Sequence, residues 1–269
     1  MQRYYFLLEN MYRAMMIFWL TCLVGYPRTS APEPIIPDIH GRSFWKDAVK
    51  GRENEKIIFL GDYTDPYSYE GIEFWEGLQS LREVIEFKKQ HLDNVVLLLG
   101  NHDLSYISNY LPQCRHDDEN HDEIKSLIKD NLCLFDIVHE ERVGKKRIVF
   151  SHAGILPDWL KENEMIFGQI KRGNEVKHLN KMFHEDHIYA ALGDLSWYRG
   201  GHLTTGSCVW ADIEEFIDTL PNHQPGCFQV FGHSQMPEPM ITDWFACLDC
   251  HTAFILDENF QFSQIGHGQ

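Results

Sequence analysis

An α/β fold is predicted for residues 35–269 from three features of the sequence. Short apolar runs rich in Ile, Val, Leu and Phe recur along the chain. Each stops abruptly at Gly, Ser or Pro followed by Asp, Asn or His, and amphipathic helical stretches lie between them. Continuous apolar runs bounded by turn residues read as strands buried on both faces. Polar residues just past such strands are where α/β sheets assemble their sites.

In chain order, Ile57 to Leu60 runs into Gly61-Asp62, and Val95 to Leu99 into Gly100-Asn101-His102-Asp103. Further on, Ile148 to Phe150 runs into Ser151-His152, and Phe228 to Phe231 into Gly232-His233. The strand before Asp38 is poorly written, because Pro32, Pro34 and Pro37 each remove a ladder donor. It is therefore very short, or else the sequence upstream is not the one the fold was built on. Gly71 to His91 places Phe74, Leu78, Leu81, Ile85 and Phe87 near one face of a helix, and Glu123 to Leu132 is a shorter helix. Leu111 to Asp122 is polar and predicts an exposed loop, with Asp117-Asp118-Glu119 solvated. Pro157 to Thr205 lacks strand signals and predicts a cap-like insertion over the site mouth. With no repeat or linker, residues 35–269 are expected to form one domain, preceded by an apolar segment over 1–34.

That segment has three readings. Ala14 to Tyr26 is uncharged and too short to cross a bilayer comfortably, so membrane association is not expected. It has the length of a signal-peptide core, but Glu9 and crowded aromatics fit better with a docked helix or an extension upstream of the domain. Seven scattered cysteines do not make a disulfide framework, and a cytoplasmic setting suits them. Cys247, Cys250 and His251 resemble half a zinc knuckle without its other half. Forty acidic against 24 basic residues, a net charge of -16, disfavour stable binding of duplex nucleic acid. The oligomeric state is not written in the sequence.

The polar residues at the strand ends form a set: Asp38 and His40, Asp62 and Asp65, Asn101 and His102, His152, His233. Carboxylates, imidazoles and an amide make a mixed N/O donor list that suits Mn, Fe or Zn better than an all-oxygen Mg or Ca site. There are enough ligands for two divalent ions if one carboxylate bridges.

Asp38-Ile39-His40-Gly41, Gly61-Asp62-Tyr63-Thr64-Asp65, Gly100-Asn101-His102-Asp103, Ser151-His152-Ala153-Gly154 and Gly232-His233 resemble the five ordered blocks of the calcineurin-like metallophosphoesterases. The branch they resemble is the phosphoprotein-phosphatase-like one, with bacterial and phage serine/threonine phosphatases and diadenosine tetraphosphate hydrolases. Any one block is weak; five in order are specific. The resemblance implies two mixed β-sheets packed face to face with helices outside. It further implies that Asp38, His40 and Asp62 hold one metal, and that Asp62, Asn101, His152 and His233 hold a second. His102 is implied to be a general acid oriented by Asp65 rather than a ligand, and Arg199, in Ser196-Trp197-Tyr198-Arg199, to hold substrate phosphate.

The implied activity is hydrolysis of phosphate monoesters, of phosphorylated proteins or small phosphoesters, by water activated between two metals. Alternatives are a diadenosine polyphosphate or nucleotide phosphodiester hydrolase and, from another class, a catalytically silent binding scaffold. Two departures from the family pattern bear on this. Gln235 stands where many members carry a second histidine, and Pro66-Tyr67 stand where an arginine and a glycine are usual, so one anion-binding group is missing. Arg42 is another candidate for phosphate. His116, His121, His184 and His187 are expected on the surface or in loops, and Trp197, Tyr198, Trp210 and Trp244 in core or cap packing.

Overall fold

The Pro-rich stretch does form a strand, and a short one. β1 (Glu33–Ile36) lies between an antiparallel and a parallel neighbour. Pro34 sits opposite Ile255 but ahead of the first pair with the parallel neighbour, Ile35 with Ile58, so no donor is missed on that side. The structure is a computed structural model that describes residues 33–113, 115–219 and 226–265, so the apolar segment 1–32 lies outside the described residues.

β1 belongs to a six-stranded sheet with β2 (Ile57–Phe59), β3 (Val95–Leu98), β4 (Phe135–Asp136), β10 (Ala253–Leu256) and β11 (Phe262–Ile265), in the order β11-β10-β1-β2-β3-β4. β1 to β4 run parallel, and β10 and β11 close one edge in antiparallel fashion. The second sheet has the order β5-β6-β7-β9-β8, from β5 (Val138–Val143), β6 (Lys146–Ser151), β7 (Phe228–Phe231), β8 (Met240–Ile241) and β9 (Phe245–Cys247). Its central strands β6, β7 and β9 are parallel, flanked by antiparallel β5 and β8.

Period-two alternation sorts the apolar residues into two layers. Ile35, Ile58, Leu60 and Leu98 of the first sheet meet Ile148, Phe150, Phe228, Val230 and Ala246 of the second, all buried. The opposite faces, with Ile36, Ile57, Phe59 and Leu97 on one sheet and Val149, Phe231 and Phe245 on the other, pack under helices. Each such side chain contributes roughly 1.5–3 kcal/mol by leaving water. That layer is what lets the chain hold costly polar groups at its strand ends.

On the first sheet lie α1 (Phe44–Val49), α2 (Phe74–Gln90), α3 (Asn101–Ile107) and α4 (His121–Asp130). α2 buries Leu78, Leu81 and Ile85, but Phe74, expected on that face, opens the helix and is largely exposed. The connection from β6 to β7 carries α5 (Pro157–Glu162), α6 (Glu164–Phe167), α7 (Glu175–His184), α8 (Tyr189–Leu192) and α9 (Ile213–Thr219). α9 packs Phe216 on Phe231 and Phe245 of the second sheet. Cys247 is buried, its thiol facing the Gly232 and Ser234 carbonyls, while His251 pairs with Arg42. The half zinc knuckle therefore does not converge. Among the described residues, no helix is long and apolar enough to cross a membrane.

Candidate metal centre

The carboxyl ends of parallel strands from both sheets meet at one place, and the polar residues that follow them come together there. β1 leads to Asp38 and His40, β2 to Asp62 and Asp65, β3 to Asn101 and His102, β6 to His152 and β7 to His233. All of these except His233, which is half-buried, are buried. Two overlapping clusters of ligand atoms result, His40–Asp62–His102 and Asp62–His152–His233, each gathered within 4.8 Å and sharing Asp62.

Asp62 is the hinge of the arrangement. Its Oδ2 lies 3.6 Å from His40 Nε2 and 3.4 Å from His152 Nε2, while its Oδ1 accepts the amide of His102 at 3.0 Å. Around His152 Nε2 stand Asn101 Oδ1 at 2.9 Å and His233 Nδ1 at 3.1 Å. Asp38 lies at the edge of the group. Both of its carboxylate oxygens accept the His233 amide, at 3.1 and 3.0 Å, and Oδ1 is 3.9 Å from His152 Nε2.

Backbone carbonyls fix the tautomers. His40 Nδ1 faces Thr64 O at 2.8 Å and His152 Nδ1 faces Leu60 O at 2.9 Å. A carbonyl only accepts, so each Nδ1 carries the hydrogen, and each neutral ring then turns an Nε2 lone pair toward the Asp62 carboxylate. Lone pairs set against a carboxylate, an amide oxygen and a second imidazole repel one another unless a cation or a proton lies among them. The donor set therefore fits a metal. Titration follows the same logic. Burial lowers the His152 pKa, but Asp62 and Asp38 outweigh it and raise it to about 9, so a proton takes the place of the cation. Burial holds His40 and His233 well below the usual imidazole value, neutral and ready to ligate.

The backbone is held tightly to achieve this. His40, Asp62, Asp65 and His233 have φ of 45°, 53°, 59° and 63°, the left-handed region that side-chain-bearing residues avoid. Close approach does the rest. A Cβ on Gly100 would lie 2.1 Å from Asp62 Oδ1, and one on Gly232 would lie 2.0 Å from Asp38 Oδ2. Those two glycines precede Asn101 and His233 because nothing larger fits against the carboxylates.

His102, the third member of the first cluster, meets Asp65 Oδ2 through its Nδ1 at 2.8 Å. The sequence missed what holds Asp65: the Tyr106 hydroxyl donates to its Oδ1 in a short hydrogen bond and accepts the Asp117 amide at 2.8 Å. It missed Asp103 as well. That buried carboxylate accepts the amides of Asp62 at 2.7 Å, Gly100 at 2.8 Å and Tyr63 at 3.0 Å, pinning the Asp62 loop. Burial, with the Asp62 charge, raises its pKa to about 7.

Several expectations are corrected at the rim. His116 lies in a loop, as expected, and there it stacks on Tyr106 with centroids 4.1 Å apart, with its Nε2 2.7 Å from His121 Nδ1. Asp117 is buried and accepts from Asn120 rather than being solvated. Trp197 and Tyr198 are exposed, not packed in a core, whereas Trp210 is buried and sets its edge against His233. Arg199 Nε pairs with Asp212 Oδ2 at 2.6 Å and its Nη2 donates to Ser234 Oγ at 2.8 Å, one residue past His233. Arg42 forms a two-pronged pair with Glu70, at 2.7 and 2.9 Å, so its charge, like that of Arg199, is already met by a carboxylate. Gln235 is exposed, and its amide nitrogen lies 2.5 Å from His251 Nε2. Arg115, unmarked in the sequence, lies beside His40 and on the ring of Tyr67.

The family model for calcineurin-like phosphoesterases matches residues 35–237. Among curated proteins, the chain is 28% identical over 224 residues to the serine/threonine-protein phosphatase 4 catalytic subunit of Kluyveromyces lactis, covering 79% of this chain and 59% of that protein. It is 34% identical over 131 residues to the symmetrical bis(5'-nucleosyl)-tetraphosphatase of Buchnera aphidicola, covering 46% of this chain and 45% of that protein. The chain thus spans about half the length of the curated relatives it matches. Among solved structures, a hypothetical protein from Pyrococcus horikoshii OT3 covers 87% of this chain and 87% of its own, with a TM-score of 0.42 and 12% identity.

Proposed function

The chain belongs to the calcineurin-like phosphoesterases, and on that premise we propose that it is a metal-dependent phosphatase hydrolysing phosphate monoesters, of phosphorylated proteins or of small molecules. The observation that carries this is the shared Asp62 oxygen, approached by tautomer-fixed imidazoles from both sheets. The relative called a serine/threonine-protein phosphatase supports the monoester reading, and it covers the larger share of the chain.

Asp38, His40 and Asp62 would hold one divalent ion, and Asp62, Asn101, His152 and His233 a second. Such a pair supplies charge neutralisation for the phosphoryl oxygens and makes an attacking water more acidic. The protein's own groups do the remaining work. His102 delivers a proton from Nε2 to the departing oxygen; Asp65, at 2.8 Å, keeps the proton on Nδ1 and favours the charged ring. Tyr106 keeps Asp65 in place by donating to its other oxygen. Arg199 meets the phosphate by exchanging its contact with Ser234 for a substrate oxygen. Phosphoryl transfer asks mainly for this kind of positioning and charge placement.

A second reading, cleavage of a dinucleoside polyphosphate, has support in the relative named as a tetraphosphatase. The test is a substrate panel on purified protein with Mn, Fe, Zn or Mg added. It compares an aryl phosphate, a phosphopeptide, a diadenosine polyphosphate and a bis-aryl diester. Monoester turnover that depends on added metal is expected. Preference for the diadenosine compound would favour the second reading, preference for the diester would overturn both, and no turnover with full metal loading would leave a binding scaffold.

A further inference from the structure

Three arginines stand around the candidate centre, and they differ in how their charge is met. Arg42 is neutralised by Glu70 in a two-pronged pair, and Arg199 by Asp212 at 2.6 Å. Arg115 has no carboxylate partner among the described residues. Its Nε donates to the backbone carbonyl of Asp65 at 2.9 Å, and its Nη2 lies 3.4 Å from His40 Nδ1. The centre of its guanidinium is 3.4 Å from the centroid of the Tyr67 ring. The Asp65 carboxylate is turned the other way, to His102 and Tyr106. A half-buried guanidinium beside two neutral groups and a ring face is a cation awaiting an anion.

The position is a telling one. Arg115 touches the residue that orients the proton donor and the imidazole that faces Asp62, so its charge lies on the flank shared by His40 and His102. Stacking on Tyr67 and the bond to the Asp65 carbonyl restrict the fork before any ligand arrives, which lowers the entropy cost of gripping one. Resting on the phosphoesterase reading, we propose that Arg115, laid on Tyr67, is a substrate-binding residue that grips a phosphate oxygen on the flank opposite Ser234-bound Arg199, beside His40. A purely structural role, tying the 111–120 loop to the Asp65 turn, is the competing explanation.

Inorganic phosphate is the probe, titrated calorimetrically into the full chain saturated with Mn, alongside steady-state hydrolysis of an aryl phosphate. Arg115→Gln, which retains a donor for the Asp65 carbonyl but no charge, should weaken phosphate binding about tenfold to a hundredfold. KM should rise in step, with kcat changed far less and the bound Mn unchanged. Arg115→Lys keeps the charge without the planar fork and should fall between the two; it also serves if the glutamine variant fails to fold. A phosphate affinity within twofold of the parent in either folded variant, at equal Mn content, overturns the inference, and so does a change confined to the melting temperature. Arg115-dependent phosphate binding in a protein that turns over no monoester would sink the phosphatase reading and leave this one standing. Turnover with Arg115-independent phosphate binding would do the reverse.

Discussion

The cradle around Asp62 and the arginine rim beside it are assembled by different means. In the cradle, main-chain atoms hold the functional groups. The Thr64 and Leu60 carbonyls set His40 and His152, the His233 amide holds Asp38, and the His102 amide holds Asp62. In the rim, side chains and rings do most of the holding: Glu70 for Arg42, Asp212 and Ser234 for Arg199, and Tyr67, with the Asp65 carbonyl, for Arg115. Groups set by the main chain move only if the strands move. Groups set by other side chains can be re-aimed by one substitution on a connecting segment, so on the phosphatase reading substrate choice is easier to alter than the chemistry.

The hardest blow to that contrast is Asp62→Asn. Removing the shared charge should cost bound metal at both positions and reduce turnover on the order of a thousandfold. Elemental analysis and a monoester assay read it, and a variant that keeps both would break the cradle account. His102→Ala should reduce turnover by about a hundredfold to ten-thousandfold with metal content intact. Tyr106→Phe, acting only through Asp65, should lose about tenfold to a hundredfold and shift the acidic or basic limb of the pH–rate profile. Asp212→Ala belongs to the rim. It releases Arg199 while leaving the metal untouched, so KM should change severalfold and kcat little; equal loss of metal would erase the distinction between the two regions.

The smallest expected effect is one of pH. Without metal, folded His152 holds its proton up to about pH 9, whereas the unfolded chain gives it up near 6.5. The stability this contributes is complete below pH 6.5 and is lost as pH rises through 9. The melting temperature of metal-free protein should therefore fall across that window, and Mn should abolish the fall by replacing the proton. A metal-free melting temperature that holds level or rises there would remove His152 as the proton's holder.

Much of this candidate site was legible because the residues that converge on it sit within a few residues of a strand end, where an apolar run and a turn glycine announce them. Asp38 and His233 meet from 195 positions apart, yet each is marked locally. Tyr106 and Arg115 carry no such mark, and Asp103, though it closes the block after β3, carries none of its use. They act through contacts 40 to 50 positions away, on the Asp62 to Asp65 turn, and nothing in their own neighbourhood signals that use. Strand β5 was invisible for a different reason. Its sequence, Val-His-Glu-Glu-Arg-Val, puts charged residues on both faces of a sheet edge, where Glu140 pairs with Arg147 and Glu141 with Lys56 and His139, so no apolar run exists to be seen. Trp197 and Tyr198 misled because large aromatics default to the interior, and here the 3-10 turn that delivers Arg199 leaves them in solvent.

The left-handed backbone at His40, Asp62, Asp65 and His233 has a consequence for anyone engineering this protein. Glycine, and to a lesser degree asparagine, adopts those angles without the penalty of roughly 1–2 kcal/mol that a bulkier residue meets. A library sorted for heat tolerance alone would enrich such replacements at these four places and return hardy, inert proteins. Thermal hardening and turnover pull against each other here, and a screen that does not score both will select for the loss of one.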